Sequence, residues 1–316
     1  MRRLLAFVVP LLAIMALAAC GLSIVGSMDP SLPAEGGPDS LTAVDGSAEI
    51  DASGDAEALP EPMADGSIEE PLGDAGVVMT DCGITTLADT FNSGIDSTWV
   101  RTGDATRVTS SGNGYVRMTQ VGQGSRKAGL FFTPTVTATE FKVSFRYYAQ
   151  RPSVGWWETP RYADGVTFTW FTSGDKDDLS STNNGHTLAV PRKMGGAAFA
   201  LDSFTNSSIN DPSTPSFSLL RVDPARGDPG AYDWHVRNRG PYSNLYDTWR
   251  DVSVTYQGGL LSATVSTTNI FQNEAVTVPA GKIVAIGFTA STGGGHPVGY
   301  YIDTVRIELL NATCPE

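Results

Sequence analysis

The chain has 316 residues and carries 34 acidic against 21 basic side chains, a formal net charge of -13. Such a balance excludes a protein that works by coating a nucleic-acid backbone, which requires a clustered positive surface. The charge is also unevenly placed. Thirteen Asp and Glu, with no Lys or Arg, fall between Gly21 and Thr80, which leaves the remainder near neutral.

The chain begins with the basic pair Arg2-Arg3, followed by an almost wholly apolar run from Leu4 to Ala16. That run is too short for an ordinary membrane-spanning helix and reads as a removable export signal over residues 1–19. Leu17-Ala18-Ala19-Cys20 matches the bacterial lipobox pattern, with small residues directly before a cysteine. The match implies cleavage before Cys20 and its acylation. One fatty chain binds membranes only marginally, so a multiply acylated Cys20 makes the stable anchor. A plain secretory peptide is the alternative. Gly21 replaces the aspartate that tends to retain lipoproteins at an inner membrane. The expected location is therefore a bacterial membrane facing outward, the outer one if the cell has two.

Residues 20–81 read as a lipidated cysteine followed by a disordered acidic linker, because one sign of charge and few aromatics cannot build a core. A flexible coil of sixty residues has an end-to-end distance of about 45 Å, and self-repulsion lengthens it.

From residue 82 to 316 the composition changes. "EFKVSFRYYA", "GVTFTWFT", "DVSVTYQ", "LLSATVS", "IVAIGFTA" and "YYIDTVRIEL" alternate, or run β-branched and aromatic, which is the signature of strands. So many strands predict one all-β sandwich of antiparallel sheets packed face to face. Besides Cys20, the only cysteines are Cys82 and Cys314, which bracket this region. In an oxidising compartment they would pair if the terminal strands lie side by side; free or intermolecular thiols are the alternative.

The stretch "FALDSFTNSSINDP" starts as a strand and breaks into polar residues. Asp202 is costly to bury inside it without a partner. A hard cation would supply one, since calcium takes carboxylate, amide and carbonyl oxygens. Asp202, the carbonyl of Phe204 and Asn206 are spaced by two, and a curling loop returns Asp211 to the same ion. Asn, Asp and Ser also make turns without any ion.

Taken together, "RYADGVTFTWFT", "GGAAFALDSFTNSSINDPSTP" and "VAIGFTASTGGGHPVGYYIDTVRIEL" resemble the L-type lectins, the legume seed lectins and animal cargo lectins. The similarity covers nearly all of residues 83 to 313, in the family's order. It implies a concanavalin A-like jelly roll and reversible, calcium-dependent carbohydrate binding without catalysis. Carried over by position, Asp202, Phe204, Asn206 and Asp211 match the calcium ligands. Asp164 matches the carboxylate that accepts sugar hydroxyls, after a cis Ala163-Asp164 bond. Asn206 would turn its NH2 to the sugar, with Gly185 and Gly294 as the glycines of the loops that approach it. Ala200 and Ser216 stand where the legume pattern has Glu and His, so no manganese site is expected.

Other readings compete. Glycosidases and polysaccharide lyases also use such sandwiches, but the strand Ala200-Leu201-Asp202-Ser203-Phe204 lacks the flanking acids of a laminarinase-like run, and catalysis is not expected. A structural surface lipoprotein that has lost sugar binding is the second rival. His296 reads as structural, His235 aligns poorly, and Trp156, Trp157, Tyr232, Trp234 and Tyr242 read as packing residues rather than sugar platforms. The sugar and the oligomeric state are not encoded in any of these motifs.

Overall fold

A computed structural model describes residues 76–153, 162–183, 185–206, 213–226, 235–243, 245–293 and 296–315. The segments read as export signal, Cys20 anchor and most of the acidic linker lie outside them. The first strand nevertheless falls inside the stretch read as linker: β1 (Val77–Thr80) folds back on β2 (Gly83–Asp89). Its sequence VVMT carries no charge and three of its four residues are β-branched, which suits a strand.

Two large antiparallel sheets form the sandwich. The back sheet runs β1-β2-β18-β7-β13-β14-β15, with β18 at Gly299–Leu310, β7 at Glu140–Gln150, β13 at Arg250–Gln257, β14 at Leu260–Val265 and β15 at Thr268–Ala275. The edge of β18 that carries β2 along its second half carries β5 (Asn113–Thr119) along its first, and β4 (Thr106–Ser110) adds to β5. The front sheet runs β12-β11-β10-β9-β16-β6-β3: His235–Arg239, Ser216–Val222, Gly195–Asp202, Gly165–Ser173, Ala285–Ser291, Lys127–Phe132 and Trp99–Gly103 in turn. A short parallel pair, β8 (Tyr162–Ala163) with β17 (His296–Pro297), sits just ahead of β9 and β18.

The two-residue period of a strand explains which side chains meet. On β7, Phe141, Val143, Phe145 and Tyr147 point inward while Lys142, Ser144 and Arg146 do not. Phe168 and Trp170 of β9 answer them, with Phe141 5.5 and 5.2 Å from their ring centroids in edge contacts. Strand β9 is buried on both faces, up to Thr172. Its second face is covered by the segment between β9 and β10, whose Leu179, Leu188, Val190 and Met194 pack on Phe131, Phe171, Ala198 and Ala200. This cover layer carries the loop that approaches the site. Tyr242 belongs to the packing, edge-on to Phe217 at 5.5 Å.

Cys82 and Cys314 form a disulfide with a Cα–Cα distance of 5.2 Å, closing 232 residues of chain. Beside it Thr137 and Thr313 exchange both backbone hydrogen bonds at 2.9 Å. The terminal strands therefore do lie together, as pairing of the two cysteines requires. On the outer face of the back sheet Arg146 lies 5.4 Å over the Trp249 ring and 3.3 Å from Asp251. It also stands 4.0 Å from Asp303, whose carboxyl burial pushes up to about 6 despite the Thr304 N–H and the arginine.

Replacing both Cys82 and Cys314 by Ser frees a long loop in the unfolded state. Chemical denaturation should show a loss of about 2–5 kcal/mol, with full-length folding retained. Asp303 binds its proton more tightly folded than unfolded, so its contribution to stability is present below the ordinary carboxylate range and lost as pH rises through about 6. Asp303→Asn should accordingly match the native protein at pH 4 and exceed it by about 1–2 kcal/mol at pH 7.5, read from denaturation midpoints.

Candidate functional site

The site is built where β9 begins. Gly165 is in register with Asp202 on one side and Ser291 on the other, so Asp164, one residue earlier, emerges between the ends of β10 and β16. The Ala163-Asp164 bond is cis, as the resemblance implied. Asp164 N–H donates to the Ser291 carbonyl at 3.2 Å, and its own carbonyl accepts the Ser203 N–H at 2.7 Å. Both backbone groups are thus in use, and the residue is only 3 % exposed.

Glycines let the neighbours close in. A Cβ on Gly165 would stand 2.4 Å from the Leu201 carbonyl oxygen and 2.8 Å from Leu188 Cδ2. A Cβ on Gly293 would lie 2.7 and 3.1 Å from the two Asp164 carboxylate oxygens. The backbone of the glycine loop therefore rests directly against the acid. Gly294 and Gly295 fall outside the described residues.

That loop is latched by residues 120–126, which the resemblance placed among the opening strands and which instead form the turn between β5 and β6. Thr292 donates its N–H to Arg126 O at 2.9 Å and its hydroxyl to Gln123 O at 2.8 Å. Arg126 N–H returns to Thr292 Oγ1 at 3.0 Å, and Gly122 N–H reaches Pro297 O at 2.9 Å. The closely spaced glycines of "VGQGSR" are a signal for such close approach, since a Cβ on Gly124 would meet Gly293 O at 2.9 Å. Gly185 comes in from the cover layer with φ +73°, and its carbonyl accepts the Ser291 hydroxyl at 2.7 Å. Thr289 similarly holds the Leu188 carbonyl at 2.7 Å. His296 is in register with Tyr162, beside the strand that delivers Asp164.

The polar turn follows β10. Asp202 is 5 % exposed, and its Oδ1 accepts the Phe204 N–H at 3.1 Å. Asn206 Nδ2 donates to the Phe204 carbonyl at 3.4 Å, and Thr205 and Thr214 hydroxyls meet at 2.9 Å across the base of the turn. Asp202, Phe204 and Asn206 are thereby gathered in one turn; Asp211 lies outside the described residues, as do Trp156, Trp157, Tyr232 and Trp234. No group of three or more His, Cys, Asp or Glu gathers among the described residues. A carboxylate, a carbonyl and an amide are nevertheless the oxygen donors that a hard cation takes. Presenting Asn206 Oδ1 in place of Nδ2 requires only rotation of the terminal amide, which leaves the side chain's shape unchanged.

Beneath the turn, Ser203 Oγ and Tyr300 Oη are 2.7 Å apart, and Tyr300 is fully buried. Burial, with the nearby Tyr246 and the Asp164 and Asp202 charges adding, drives the Tyr300 phenol well above its usual range, so it stays neutral. Burial likewise pushes Tyr246, which packs 4.9 Å from the Tyr162 ring, up to about 12. Neither Ser203 nor Tyr300 carries a sequence signal beyond ordinary strand alternation.

No family model and no curated protein matches the chain. Solved structures do. The VIP36 exoplasmic/lumenal domain in its Ca2+/Man-bound form aligns at TM-score 0.51 and 16 % identity, over 69 % of this chain and 86 % of that one. The Emp47p carbohydrate recognition domain aligns at TM-score 0.53 and 17 % identity, over 71 % and 95 %. The VIP36 domain in its Ca2+/Man3GlcNAc-bound form aligns at TM-score 0.50 and 15 % identity, over 73 % and 90 %. The β-rich region thus has the jelly-roll sandwich fold of the L-type lectin carbohydrate recognition domains.

Gly293→Ala should displace the Asp164 carboxylate while costing only the about 1–3 kcal/mol typical of local overpacking. A crystal structure of the variant, paired with its melting curve, checks both halves of that expectation.

Proposed function

We propose that the protein is a lipid-anchored surface lectin that binds carbohydrate reversibly with the help of calcium. The observation that carries this reading is Asp164, held by both backbone groups with its carboxylate against Gly293, next to the Asp202–Asn206 turn. A carboxylate accepts hydrogen bonds from adjacent sugar hydroxyls, and a fixed backbone means little ordering cost on binding. Asn206 would supply a donor from its NH2, and Gly185, like Gly294 beyond the described residues, would offer a backbone N–H with no side chain in the way. Asp202, the Phe204 carbonyl, Asn206 Oδ1 and Asp211 would hold the ion. Bound calcium supplies the positive charge that keeps these oxygens together and fixes the turn. The neighbours' calcium- and mannose-bound forms support a calcium ion and a glycan ligand here.

The remaining features fit display at a surface. Cys20 would fix the chain to the membrane, with the acidic segment between the anchor and the domain. A single shallow site of this kind binds weakly, and many copies on one surface provide avidity.

A glycan array probed with and without chelator tests the reading, with retention expected only when calcium is present. Asp164→Asn should remove two charge-assisted hydrogen bonds and lower retention by more than about 100-fold. Calcium uptake by calorimetry should be unchanged in that variant. Calcium uptake with no glycan retained by the native protein would assign the domain a structural role.

A further inference from the structure

The residue between the first two cation-ligand positions has its own connections. Asp202 ends β10 with its side chain on the outer face of the front sheet, the face that carries Ala198 and Ala200. Strand alternation continued for one residue turns Ser203 the other way, toward the space between the sheets. There its hydroxyl lies 2.7 Å from the Tyr300 phenol, and Ser203 itself is 5 % exposed. Its backbone N–H meanwhile reaches the Asp164 carbonyl at 2.7 Å. Ser203 thus touches three things at once: the turn, the acid and the opposite sheet.

Tyr300 is a firm anchor. It is fully buried, in register with Ala149 of β7, and its N–H donates to Thr119 Oγ1 at 3.2 Å, while that hydroxyl holds the Val298 carbonyl at 2.9 Å. Its phenol stays neutral, so the contact to Ser203 is an uncharged hydrogen bond that does not titrate in the physiological range. A buried polar pair of this kind is costly to break because neither hydroxyl can turn to water.

Resting on the calcium-lectin reading above, we propose that Ser203 is a positioning residue that couples the cation turn to the sugar-accepting Asp164. The Tyr300 hydroxyl pins the side chain of Ser203, so its backbone acts as a fixed pivot between the turn and Asp164. Ordering of Asp202, Phe204 and Asn206 on one side of the pivot is then transmitted through the N–H to the Asp164 carbonyl on the other. Without the pin, the turn can order by rotating about Ser203, and Asp164 does not feel it. The coupling is an energetic link between two neighbouring sites, and it acts equally in both directions.

Backbone hydrogen exchange of the full chain, with calcium alone as the probe, tests this. In the native protein calcium should slow exchange by about tenfold both in residues 200–206 and in residues 162–166. In Ser203→Ala and in Tyr300→Phe the first stretch should still slow, and the calcium affinity should stay within about threefold of native. The second stretch should lose its response in both variants, and Ser203→Thr, which keeps the hydroxyl, should restore it. A purely structural role would lower the melting temperature of the alanine variant yet leave the response of 162–166 intact, and that result overturns the proposal. Calcium slowing 200–206 but not 162–166 in the native protein also overturns it, and leaves the calcium reading standing. No response at either stretch overturns both.

Discussion

The carbonyl of Asp164 accepts the N–H of Ser203, its own N–H donates to Ser291, and the residue is 3 % exposed. A carboxylate taken that far from water is costly unless its surroundings supply polar partners. Two separate pieces of chain are arranged around it: the end of β10, and the end of β16 with the glycine loop that follows. The second is itself tied down. Thr292 is clasped by Gln123 and Arg126, and Ser291 reaches across to Gly185. What holds the acid therefore also brings the loops of the front end to one place.

This arrangement depends on a strand that cannot shift. β9 is hydrogen-bonded along both edges and buried on both faces, by the aromatic core on one side and by Leu188 and the cover layer on the other. A slip of one residue would exchange Phe168 and Trp170 with Thr167 and Thr169. The register that places Gly165 between Asp202 and Ser291 is thus protected by the whole interior. The site inherits its rigidity from packing that has nothing to do with ligand.

How much of this was legible varies from residue to residue. The strands of β7, β9, β13, β16 and β18 are readable because their periodicity and composition are local properties. The Asp202–Phe204–Asn206 spacing is readable for the same reason, and so is the pairing of the only two cysteines beyond Cys20. β1 was missed because four residues after an acidic stretch carry too short a pattern. Residues 120–126, placed among the opening strands, carried no role at the site because "VGQGSR" declares only that a turn occurs. Which loop it leans on is decided some 170 positions away, at Thr292. Ser203 was passed over because serine after a strand is an ordinary turn residue.

The sequence by itself determined the class of architecture, the acidic segment ahead of the domain, and the residue types that can accept hydroxyls or hold a hard cation. These follow from side-chain chemistry and short-range spacing, which need no knowledge of distant chain. Only the tertiary structure decided that Gly293 rests on the Asp164 carboxylate, that Gly185 is drawn in by Ser291, and that Ser203 faces Tyr300 across the sandwich. Those contacts join residues about 100 or more positions apart, and they exist because two sheets must close over a common apolar interior. No local pattern records which polar groups that closure will bring face to face.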